Sequence, residues 1–424
     1  MDSRILHKHS WVLILAVSFL AACNDDLVIS NEELVNRDLY TTMKDIYLWY
    51  DKLPSVNPSY YSTPYELMEA LRYKELDRWS FVMTWHEFDQ YFQEGKMIGH
   101  GFMISRDEDY NLRIAFVYPS TLAYSNGVRR GWIITKVNGV AASPSNVIQL
   151  LGAGSADVVN TIEFIDNDNA YRTITLKKEE LNINPVLHSE IIHIFDKKIG
   201  YIVFQDFIDA ANTRIDSTFN LFKQENVDDL ILDLRYNGGG SVNVAVHLSG
   251  WLTGNVNAEK TLINFQHNDR NRQRDTSVTI PFNGSSLDLA RIVFIGTNAT
   301  ASASELIING MKPYMEVSLI GSPTDGKPVG MYVLEYKDQD YAAFPVCFKY
   351  TNALNVGDFY DGLQPDVLVN DDLTRDFGDP DEGMLKAAIN YITAETMVVV
   401  AKKTTSGIQI IRPPTNLPEL QRAF

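Results

Sequence analysis

Apolar residues recur along this chain with three different spacings. From position 31 to 52, Leu39, Met43, Ile46, Tyr47 and Tyr50 fall on one helical stripe, and Pro54 ends it. Thr63-Pro64-Tyr65-Glu66 supplies a cap, a first-turn proline and a returning glutamate for a second helix, running to about Arg72. Between about 96 and 180 the pattern shortens to β-rich runs at 102–104, 112–117, 132–137, 161–165 and 172–176. Turn residues such as Asn138-Gly139 separate them, and one short helix (145–151) follows Pro144. From Lys198 onward, strands at 200–203, 230–234 and 292–295 alternate with helices at 214–224, 242–252 and 304–312. That alternation predicts an α/β layer architecture. After Thr393 the chain reads as a polar tail with Pro413, Pro414 and Pro418, an extended appendage.

The first residues read differently. Arg4 and Lys8 precede a short apolar run (11–20) and the small residues Ala21-Ala22 before Cys23. This is the layout of a secretory signal, and the run is too short for a membrane span of about 20 residues. Leu20-Ala21-Ala22-Cys23 resembles a bacterial lipobox, which implies removal of residues 1–22 and a lipid on Cys23. The alternative is an ordinary cut nearby that leaves Cys23 a spare thiol. Asn24-Asp25-Asp26 resembles the acidic signal of some surface lipoproteins. The chain is therefore expected to be exported and lipid-anchored to the outer membrane, on its periplasmic face or the cell surface. With Cys23 lipidated, Cys347 has no disulfide partner, so an apolar core must carry stability.

Of the 424 residues, 54 are Asp or Glu and 37 are Lys or Arg, for a net charge of −17. Nucleic acid is excluded as a partner on that balance, because phosphate binding needs a basic surface.

Four segments could carry chemistry. Gly99-His100-Gly101-Phe102 enters a strand, where backbone N–H groups could receive a carboxylate and the strand edge an extended peptide. Alone it is a tight turn into a sheet. With Val117-Tyr118-Pro119-Ser120, Asn126-Gly127-Val128, Arg130-Gly131-Trp132 and Val137-Asn138-Gly139 following in order, the segment resembles a PDZ domain of the bacterial protease type. That resemblance implies capture of polypeptide ends.

The second is an apolar strand running through Asp233-Leu234-Arg235-Tyr236-Asn237 into Gly238-Gly239-Gly240. Such a loop is either a flexible turn or a cradle for an anion. The third runs from Gly296 to Glu305. Ser302 and Glu305 have capping-box spacing, which alone would explain both. Ser302 at a helix N-terminus is also a candidate nucleophile, with the free N–H of Ala303 beside it.

The fourth, Gly321 to Pro328, nearly spells a phosphate-binding loop. Its last position is Pro328, with neither hydroxyl nor N–H, and no clear helix follows. Lys327 is better read as the base for Ser302, provided burial lowers its pKa from ~10.4. The bland alternative is a surface lysine on a Gly/Pro loop. His188, His193, His247 and His267 show no metal-ligand spacing, so no metal or cofactor is expected. His247 is a lesser candidate base.

Thr300-Ala301-Ser302-Ala303-Ser304-Glu305 with Gly321 to Lys327 resembles the C-terminal-processing (tail-specific) serine peptidases. The glycine loop after Asp233-Leu234-Arg235 stands where that family places its oxyanion loop. Gly362-Leu363-Gln364-Pro365-Asp366 and Leu76-Asp77-Arg78-Trp79-Ser80 match its closing and N-terminal signatures. The resemblance implies a ClpP/crotonase-like α/β peptidase core with an inserted PDZ domain and a small N-terminal helical region. The corresponding expected divisions are a lipoprotein-type signal (1–22), the helical region (23–95), PDZ domain (96–185), peptidase core (186–395) and tail (396–424).

The same resemblance implies that Ser302 and Lys327 form the catalytic pair, with the oxyanion held by Ala303 and by Gly238 or Gly239. Gly99, His100, Gly101 and Phe102 would dock the peptide, and the substrate would be an unstructured or C-terminal polypeptide segment. One position departs from the family, in which a Gln commonly follows the lysine by four residues. Here it is Met331. The departure leaves a rival reading, a catalytically weak or inactive homologue that acts as a membrane-anchored peptide-binding protein.

Overall fold

The structure is a computed structural model and describes residues 29–393 and 410–411. The expected signal segment, Cys23 and almost all of the tail lie outside the described residues.

A six-stranded sheet forms the centre, in the order Val186–Ile194, Lys197–Phe204, Asp229–Asp233, Arg291–Gly296, Glu316–Gly321, Val367–Leu368. The first pair is antiparallel and every later pair is parallel. Parallel neighbours need long crossovers, and helices Ala211–Gln224, Val242–Thr253 and Ala303–Met311 stand in them. Every residue of Asp229–Asp233 is buried, as expected of a strand covered on both faces. Strand alternation divides its side chains between two cores. Leu230 and Leu232 join Ile292, Phe294 and the three crossover helices. Ile231 joins Val293, Ile295, Ile320 and helix Gly383–Thr393 on the other side. The expected strand and helix alternation is thus present.

The N-terminal region is not purely helical, contrary to expectation. Helices Asn31–Ile46 and Pro64–Leu71 form, the second capped as the sequence predicts, with Glu66 N donating to Thr63 Oγ1 at 3.2 Å. Strand Phe81–Met83 then pairs with Tyr341–Phe344, deep in the second half of the chain. Leu39, Met43, Leu67 and Trp79 share one core with Val329, Ala343 and Val346. A further sheet, Thr276–Thr279, Thr261–His267, Val346–Asn352 and Val329–Met331, escaped sequence reading altogether.

Residues 96–182 form an inserted unit. Lys96–Gly99 pairs with Glu179–Asn182 and closes it at its base. Its sheet runs Phe102–Arg106, Leu112–Val117, Ile133–Val137, Val159–Ile165, Tyr171–Lys177, over a core that includes Ile114, Val128, Val147 and Phe164. A two-residue strand, Ile410–Ile411, lies antiparallel on the outer edge of Phe102–Arg106.

Candidate active site

Strand Arg291–Gly296 leaves the central sheet at its C-terminal end, where open α/β sheets place their ligand crevices. The turn that follows is pinned to the neighbouring strand. Thr300 Oγ1 donates to Leu234 O at 2.7 Å, Ala301 N to Asn237 O at 3.1 Å and Ser304 Oγ to the same carbonyl at 3.0 Å. This bracing holds Ser302 at φ +54°, ψ −115°, a strained backbone for a side-chain-bearing residue. Ser302 is also the N-cap of helix Ala303–Met311.

Lys327 lies in the loop after Glu316–Gly321 and is completely buried. The sequence places it 25 positions from Ser302, and two buried side chains join their backbones. Oε2 of Glu305 accepts from Ser302 N at 3.0 Å and from Lys327 N at 2.8 Å. Its Oε1 accepts from Gly326 N at 2.7 Å and from the Thr324 hydroxyl. On the other side the Tyr350 hydroxyl lies 3.1 Å from Ser302 O and 3.0 Å from Lys327 O, and its single proton serves both. Capping is therefore only part of what Glu305 does.

The electrostatics follow from burial. Desolvation lowers the Lys327 pKa to about 7, while the charges of Asp325, Asp77 and Glu305 pull it back up. Burial raises Glu305 to about 7, against the hydrogen bonds it accepts from Thr324 and the Lys327 and Gly326 amides. Met331 stands where the family commonly has Gln, and its Sδ lies 4.0 Å from Lys327 Nζ.

The N-terminal segment that carries the Leu76–Ser80 signature packs against the Lys327 loop. Asp77 Oδ1 accepts from the Trp79 and Ser80 amides at 3.0 and 2.9 Å. That turn aims the Trp79 indole N–H at Asp325 Oδ2, 2.9 Å away. The Gly362–Asp366 signature closes the far side. A Cβ on Gly362 (φ +83°) would sit 2.3 Å from Thr324 O, so only glycine permits this approach.

The glycine loop rests on a buried ion network. The Arg235 guanidinium binds Asp233, Glu382 and Asp371, with contacts of 2.7 to 3.0 Å. Arg130, from the inserted unit, reaches the same Asp371 at 2.6 Å and the Tyr236 hydroxyl. Burial would raise the Asp371 pKa, but Arg130 and Arg235 hold it below the usual range.

One sequence expectation changes here. Gly239 N already donates to Asn237 Oδ1 at 2.8 Å, so it is not free for an oxyanion. Gly238 N and Ala303 N, the latter at the first helical position, have no acceptor among the described residues.

The Gly99–Phe102 segment is also corrected in part. His100 is 7% exposed, bonds through Nε2 to Asn160 Oδ1 at 2.7 Å and stacks on Phe102, itself 6% exposed. Burial takes the His100 pKa down to about 4, so the ring is neutral. Both side chains face the interior of the unit and not a ligand. What the loop can offer is backbone: the His100 and Gly101 N–H groups have no acceptor among the described residues. Gly101, at φ +84°, is forced by Thr121, whose Cβ would lie 2.6 Å from an added Cβ.

His247 bonds to Asp216 at 2.6 Å. The Gly321–Pro328 loop is followed by strand Val329–Met331, not by the helix a phosphate loop requires.

Comparison with known proteins agrees with this geometry. The description "Peptidase family S41" matches residues 198–369, and "Peptidase S41 N-terminal domain" matches residues 35–81. Together they cover more than half of the chain. The chain belongs to peptidase family S41.

Among curated relatives, a carboxyl-terminal-processing protease of Picosynechococcus is 24% identical over 281 residues, covering 65% of this chain and 65% of that one. A CtpA-like serine protease of Staphylococcus aureus is 23% identical over 285 residues, covering 65% of this chain and 53% of the relative. The chain thus spans between about half and just under two thirds of these relatives' length. Among solved structures, a candidate S41 protease from Bacteroides fragilis superposes with a TM-score of 0.71. It is 24% identical, with 85% of this chain and 97% of that one covered. This likeness supports the mixed α/β fold.

Proposed function

We propose that the protein is a serine endopeptidase of the C-terminal-processing type, with Ser302 as nucleophile and Lys327 as its base. The observation that carries this reading is the shared anchoring of Ser302 and Lys327 by Glu305 and Tyr350. With burial bringing its pKa down to about 7, Lys327 has free amine available near neutral pH. The amine takes the Ser302 hydroxyl proton as Oγ attacks a peptide carbonyl carbon. The carbonyl oxygen gains the charge and is held by the N–H groups of Ala303 and Gly238. Collapse breaks the C–N bond, and the leaving amine takes the proton from Lys327. Water, deprotonated by the same lysine, then hydrolyses the acyl-enzyme. Met331 puts a weak thioether acceptor where the family commonly has an amide, so burial is left to set the lysine's free base.

In this proposal the inserted unit is a PDZ domain that docks an unstructured or C-terminal segment, and the core is of the ClpP/crotonase type. Its docking elements are the free N–H groups of His100 and Gly101 and the edge of Phe102–Arg106. The lipobox-like leader supports export and anchoring through Cys23 at the outer membrane. The test is digestion of an unfolded protein by the wild type beside Ser302→Ala and Lys327→Ala, with fragments read by mass spectrometry. Cleavage by the wild type and by neither variant is expected. Cleavage at full rate by Ser302→Ala would sink the assignment.

A further inference from the structure

The outer edge of Phe102–Arg106 is not bare. Ile411 stands opposite Ile104 and Ile410 opposite Ser105, in antiparallel register. The added strand therefore runs toward the Gly99–Gly101 loop, along the edge where an incoming polypeptide would add its own strand. Sheet edges present unpaired N–H and C=O groups that template such additions. The segment suits the task, since Ile408-Gln409-Ile410-Ile411 is rich in β-branched residues. Because residues 412–424 follow Ile411, the pairing belongs to an internal segment and not to a terminal carboxylate.

We propose that the stretch around Ile410–Ile411 is a ligand in cis for the edge of Phe102–Arg106, which an external polypeptide must displace before it docks. This rests on reading the inserted unit as a PDZ domain. Because Ile410–Ile411 belongs to the same chain, the competition is intramolecular, and a linked segment can reach effective concentrations on the order of millimolar. An external segment of equal intrinsic affinity is thereby outcompeted at micromolar concentration. A two-residue ladder is nevertheless short enough to yield to a longer strand. The same contact indicates what the edge selects, namely extended segments with β-branched apolar residues and no requirement for a free end.

The test uses the full chain carrying Ser302→Ala, so that no peptide is consumed, with and without Ile410→Pro and Ile411→Pro together. Proline has no N–H for the ladder, and replacing both residues removes whichever one donates. The probe is a fluorescent peptide with the sequence of residues 405–412, blocked at both ends, followed by anisotropy. The double-proline chain should bind it at least about tenfold more tightly than its parent, as expected when a tethered competitor is removed. Amide exchange within Phe102–Arg106 should also accelerate in that variant. Equal affinity and equal exchange would overturn the cis ligand while leaving the edge as a peptide site. Absence of binding by either chain would overturn the docking reading itself, and the cis ligand with it.

Discussion

The Nζ of Lys327 lies 4.0 Å from the Sδ of Met331. A thioether is a weak, neutral acceptor, so it adds little preference for the ammonium over the amine. Burial therefore dominates, and the pKa falls to about 7. An amide oxygen at the same place would favour the charged form. Met331→Gln should move the rising limb of the kcat/KM profile to higher pH, by roughly one unit for one charge-assisted hydrogen bond. An unmoved or more acidic midpoint, with chemistry limiting the rate, would contradict this account.

The same lysine should leave a mark on stability. In the unfolded chain it keeps a pKa near ~10.4, whereas in the fold it titrates at about 7. Between those values the unfolded state binds more protons, so the lysine's contribution to stability rises with pH across that window. Urea unfolding of the wild type and Lys327→Met should therefore diverge from pH 7 to pH 10, the wild type gaining relative to the variant. Parallel curves would show that the lysine is not desolvated.

Ser302 sits at a positive φ that glycine adopts freely and alanine does not. Both replacements remove the proposed nucleophile, but Ser302→Gly should be more stable than Ser302→Ala by ~1 kcal/mol. Equal denaturation midpoints at equal slope would mean the turn relaxes when the side chain changes.

Tyr350→Phe deletes the hydroxyl between the carbonyls of Ser302 and Lys327 and leaves the ring in place. Stability should fall by about 1 kcal/mol, the net worth of one hydrogen bond. Because the pair loses alignment and not substrate contacts, kcat should drop about tenfold with KM little changed. A change confined to KM would assign the hydroxyl to substrate binding.

Arg130 and Asp371 are both almost completely buried. Arg130→Met would leave Asp371 with Arg235 as its remaining guanidinium partner, and breaking a buried pair costs roughly 3–5 kcal/mol. A loss under 1 kcal/mol in urea unfolding would show that water reaches the site.

Much of the core was legible in the sequence because its signals are local. Strands such as Asp229–Asp233 are unbroken apolar runs, and Ser302 and Lys327 each sit in a short segment whose residue types carry their chemistry. The rest was hidden by distance along the chain. Tyr350 comes from a strand of a different sheet, and nothing near position 350 marks its hydroxyl as a link between two carbonyls. Trp79 and Asp77 sit about 250 positions before Lys327, and although their segment matches a family signature, nothing in it shows that they face the lysine's loop. Gly239 and Gly238 look equivalent in sequence, and only the folded Asn237 side chain tells them apart. The strand at Ile410–Ile411 was masked by the prolines around it.

The wall that Trp79 and Asp77 build against the Lys327 loop ties chemistry to timing. A lysine in an unfolded chain is an ordinary ammonium at neutral pH and cannot accept a proton from serine. Its pKa falls on burial in the folded chain, where Trp79 of the early segment is hydrogen-bonded to Asp325 of the late one. Under the proposed mechanism a chain that has not completed this packing has no desolvated lysine to act as base, so competence is a property of the finished fold.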